Sequence, residues 1–137
     1  MLTLDDVQTQ LEWVADTLIP ADSSLDMPSA TEVGISTILI PRALRARDDQ
    51  AALFIEALAT LPADRPADAM GCIRSLDPPR FDLVSRMIAG AYFLDAGVTA
   101  KLGYPGQQAM RDEPDYDEIA EVTDRVIARG PVYIPTP

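Results

Sequence analysis

The chain has no histidine, a single cysteine, a single lysine and few aromatic residues, and each shortage removes a class of chemistry. Without histidine the common zinc sites lose a principal ligand, and serine or cysteine nucleophiles lose their usual base. Cys72 alone cannot close an internal disulfide, and no cationic neighbour beyond Arg74 marks it as a nucleophile. It reads as a small hydrophobe inside a helix. Lys101 is the only amine side chain that could act as a base. Neither GxxxxGK[ST] nor GxGxxG occurs, so no phosphate cradle is written into the chain. Positive charge is scarce: eleven basic against 22 acidic residues give a net charge of −11, which repels nucleic acid and anionic membrane surfaces. No apolar run approaches the roughly eighteen residues of a membrane-spanning helix. Met1 is followed closely by Asp5 and Asp6, with no basic and apolar leader and no twin-arginine pair. The chain as written is therefore expected in the cytoplasm, the alternative being the periplasm if it travels with an exported partner or has lost a leader.

What remains is the composition of a folded domain: 137 residues, 47% hydrophobic and 24% charged. We expect one all-α domain spanning 1–137, a bundle of five to six helices with a loop-rich segment at 103–114 and an extended tail at 131–137. Its organising element is an apolar helix over about 79–95. There Phe81, Val84, Ile88, Ala91 and Tyr92 form one stripe, and Leu83, Met87, Gly90 and Leu94 form the next. Such a helix must be covered on most sides.

Thr3 and Asp6 have capping-box spacing ahead of a stripe through Leu4, Val7, Leu11, Val14, Ala15 and Leu18, with Trp13 beside it as a core or rim anchor. Prolines 20 and 28 bracket a polar loop. Ser29 and Glu32 repeat the capping spacing and predict a second helix through Gly34, Ile35, Ile38, Leu39 and Ile40, broken or kinked at Pro41. Arg42, Arg45 and Arg47 form the basic cluster, read as a solvated face or as partners of nearby acids on a short turn.

Asp48 or Asp49 is expected to cap a third helix with Ala51, Phe54, Ile55, Leu58 and Ala59 inward. Asp64 and Pro66 are expected to open a fourth through Met70, Ile73 and Leu76, and Asp77 with Pro78 and Pro79 to start the central helix. A brief turn at Val98–Leu102 follows, then a corner of Gly103, Tyr104, Pro105 and Gly106 whose glycines permit unusual backbone angles. The acidic run from Arg111 to Glu121 leads into a last helix carrying Ile119, Val122, Val126 and Ile127, closed by Gly130 and Pro131. Calcium-loop registers starting at Asp112 or Asp115 fail, because Pro114 and Ile119 fall on ligand positions. No catalytic, cofactor-binding or metal-binding residue is assigned.

In order, ADTLIPAD, TEVGI, FIEALATL and AYFLDAGVTAKLGYPGQQ resemble the gluconate 2-dehydrogenase subunit 3 family, the small subunit of flavin-dependent dehydrogenases of the glucose-methanol-choline type. The likeness runs from about Leu11 to Gln107, and LGYPGQ preceded by an aromatic pair is its most specific part. The resemblance implies a non-catalytic accessory subunit that binds, stabilises or helps mature a large FAD-containing dehydrogenase acting on a sugar, sugar acid or alcohol. It also implies a docking surface at or near Tyr92, Phe93, Leu102, Gly103, Tyr104, Pro105, Gly106 and Gln107. Relatives of this kind often carry a twin-arginine signal and work with a cytochrome. This chain departs from them in lacking the signal, which favours an intracellular flavoprotein partner. The second expectation is a self-associating helical protein whose exposed apolar surface is covered by its own copies.

Overall fold

A computed structural model describes residues 1–109 and 113–134. Among them the chain is all-helical, as expected, with α1 (Gln8–Leu18), α2 (Ile40–Ala46), α3 (Asp48–Ala59), α4 (Ala69–Arg74), α5 (Pro78–Tyr92), α6 (Ala96–Lys101) and α7 (Tyr116–Arg129). The chain divides into two compact units, Met1–Gly106 and Gln107–Pro137.

In the first unit α1 packs on α3 and α4, and α5 packs on α2 and α3. The core is aliphatic, with Phe54 as its largest fully buried side chain and Leu11, Ile35, Ile40, Leu58 and Ile88 around it. The expected stripe of α1 is the buried one, and the chain enters it through a 3₁₀ turn at Asp5–Val7, where Thr3 N–H donates to Asp6 Oδ2 at 2.8 Å. Trp13 belongs to the core, and its indole N–H donates to the Pro62 carbonyl at 3.1 Å, so the one polar atom of that large ring is satisfied. Cys72 is half-buried against the same core.

The helix predicted from Ser29 is where sequence and structure differ most. The capping box forms, with Ser29 N–H donating to Glu32 Oε2 at 2.7 Å and Glu32 N–H to Ser29 Oγ at 3.3 Å. Gly34 then takes a left-handed φ of 74° and stops the turn it was expected to continue. A π-type turn at Ile35–Leu39 follows, in which Ile40 N–H reaches back to the Ile35 carbonyl. Pro41 lies in the first turn of α2 and so helps to begin a helix instead of breaking one. Arg42 and Arg45 are therefore helical and exposed, and Arg47 follows the end of α2.

Two expected caps are corrected. Neither Asp48 nor Asp49 caps α3: both lie inside its first turn, where they face the positive end of the helix dipole, and Asp49 pairs with Arg47 at 3.0 Å. α4 is capped by Asp68, not Asp64, with Gly71 N–H donating to Asp68 Oδ1 at 2.9 Å. Asp77 caps α5 as expected, accepting from Arg80 N–H at 3.0 Å, with both prolines in the first turn. The turn expected at Val98–Leu102 is part of a helix, α6, opened by Asp95 accepting from Val98 N–H at 2.8 Å.

In the second unit α7 is capped by Asp115, which accepts from the N–H groups of Asp117 and Glu118, and it ends at Gly130. None of its residues is buried. Residues 110–112, within the expected loop and acidic run, and 135–137, within the expected tail, lie outside the described residues.

Candidate partner interface

The residues singled out by the resemblance begin at the last turn of α5. Tyr92 is the innermost of them: only 3% exposed, it donates its phenolic O–H to the Pro28 carbonyl at 2.7 Å. Burial first, and the Asp95 carboxylate second, push that phenol above its ordinary value. Tyr92 therefore presents no docking surface of its own, and its work is to fix the end of α5 to the loop before Ser29. Its neighbour Phe93 turns outward, 52% exposed, with the two rings edge to face and 5.7 Å between centroids.

Beyond α6 the chain closes into the glycine corner. Gly103 N–H donates to the Ala100 carbonyl at 3.0 Å and Tyr104 N–H to the Thr99 carbonyl at 2.9 Å, with Gly103 left-handed at φ 73°. This double closure is the usual glycine end of a helix. Gly106 is left-handed as well, at φ 81°. A side chain at either glycine would meet no other atom within 4 Å of its Cβ, so the demand for glycine is conformational and not steric crowding. Leu102 and Tyr104 stand 56% and 58% exposed, and Pro105 and Gly106 are exposed beside them. Gln107, also exposed, is the first residue of the second unit.

A second tie secures the base of α6. Lys101 Nζ forms an ion pair with the Asp26 carboxylate and donates to the Asp26 carbonyl at 2.6 Å, while Asp26 holds a left-handed φ of 52°. The loop between Pro20 and Pro28 is thus fastened both to α5 through Tyr92 and to α6 through Lys101. Only the residue pattern around LGYPGQ pointed to this surface. The loop partners Pro28 and Asp26 lie far away in sequence, and no local signal marks them.

The first unit also carries a cleft of ≈ 540 Å³ along α5, walled by α2 and α3. Among the described residues no group of three or more acidic or cysteine side chains is placed to hold a metal ion, and no helix is long and apolar enough to cross a membrane. Compared with known proteins, the chain matches no family model, no curated protein and no solved structure.

Proposed function

We propose that this chain is a non-catalytic accessory subunit that binds a large FAD-dependent dehydrogenase of sugars, sugar acids or other alcohols, and stabilises it or helps it mature. The observation that supports the reading is the exposed pair Leu102 and Tyr104 on a corner held by two left-handed glycines and backed by an anchored helix end. An aromatic and an aliphatic side chain displayed on a stiff corner supply contact area at low entropic cost, as interface anchors do. The class of partner rests on the sequence resemblance. The redox chemistry belongs to the partner's flavin, and this chain contributes binding surface.

The test is a tagged pull-down from the native host. A yellow eluate holding a much larger chain, with the absorbance of an oxidised flavin, is the expected result. The double substitution Tyr104→Ala and Gly106→Ala should then abolish recovery of the large chain while circular dichroism stays unchanged. A complex that survives the double substitution removes the corner from the interface, and a colourless eluate of this chain alone removes the flavoprotein partner.

A further inference from the structure

We draw no further inference here: the strongest candidate, the apolar cleft along α5 between α2 and α3, carries nothing because its Arg47 and Arg86 are already paired with Asp49 and Asp82 and nothing in the structure shows what covers it.

Discussion

α5 and α7 begin alike and end differently. Each starts on an aspartate cap, has nearly the same length and carries an apolar stripe, yet α5 buries Val84, Met87, Ile88, Ala91 and Tyr92 while α7 buries nothing. Helix formation is decided within a few residues, by a cap, a dipole-compatible first turn and the absence of breakers. Burial is decided by what lies opposite the stripe. The two helices separate these causes within one chain, for the first unit supplies α2 and α3 against α5, while the second unit has no other helix among its described residues to set against α7.

The sharpest way to break the comparison is to truncate one stripe residue on each helix. Ile88→Ala should remove about 2–5 kcal/mol from cooperative unfolding in urea, because a fully buried side chain leaves a cavity. Ile127→Ala should change the same midpoint by about 0.5 kcal/mol or less, as an exposed substitution does. Equal losses at the two sites would mean that α7 is covered in the folded chain.

The caps sharpen the contrast on a smaller scale. Asp77→Ala should cost about 1 kcal/mol of global stability, whereas Asp115→Ala should lower the helical circular dichroism signal without moving the main unfolding midpoint. A shift of that midpoint by Asp115→Ala would tie α7 to the cooperative unit.

Tyr92→Phe keeps the packing at the end of α5 and deletes one part-buried hydrogen bond, a loss of about 1 kcal/mol. The substitution also carries a pH signature. The folded phenol titrates above its ordinary value of 10.0, so as pH rises past that point the unfolded chain loses its proton first and stability falls. Below it the contribution is flat. Wild type should therefore show a decline above pH 10 that Tyr92→Phe lacks, and identical alkaline limbs would contradict burial of the hydroxyl. The smallest effect is expected at Lys101→Met, about 0.5 kcal/mol or less, since the pair with Asp26 is exposed.

Much of the fold was legible because it is written locally. Pro78 and Pro79 behind Asp77, and Gly130 ahead of Pro131, mark helix ends by their own backbone limits. Gly34 was harder to read, since a lone glycine in a helical pattern is usually tolerated and nothing nearby announces a left-handed angle. Asp64 and Asp68 both precede the same short apolar segment and both are able caps. The chain uses the one with Gly71 three residues on, a distinction of geometry and not of type. At the candidate site, the glycines marked the corner, but whether Tyr104 faces outward or lies against the central helix was not written in them. The inward turn of Tyr92 depends on Pro28, 64 residues away, which no spacing rule can supply. The cleft along α5 was hidden for the same reason, because periodicity shows that Gly90 and Leu94 share a stripe but not that α2 and α3 leave it open.

The solitary lysine has a practical consequence at the bench. Apart from the chain terminus, Lys101 is the only primary amine, and it directly precedes Leu102. An amine-reactive dye or cross-linker thus writes at a single internal address beside the corner, and acylating that amine removes the ion pair with Asp26 in the same stroke. One reagent then reports both what stands against the corner and whether the clamp behind it was closed.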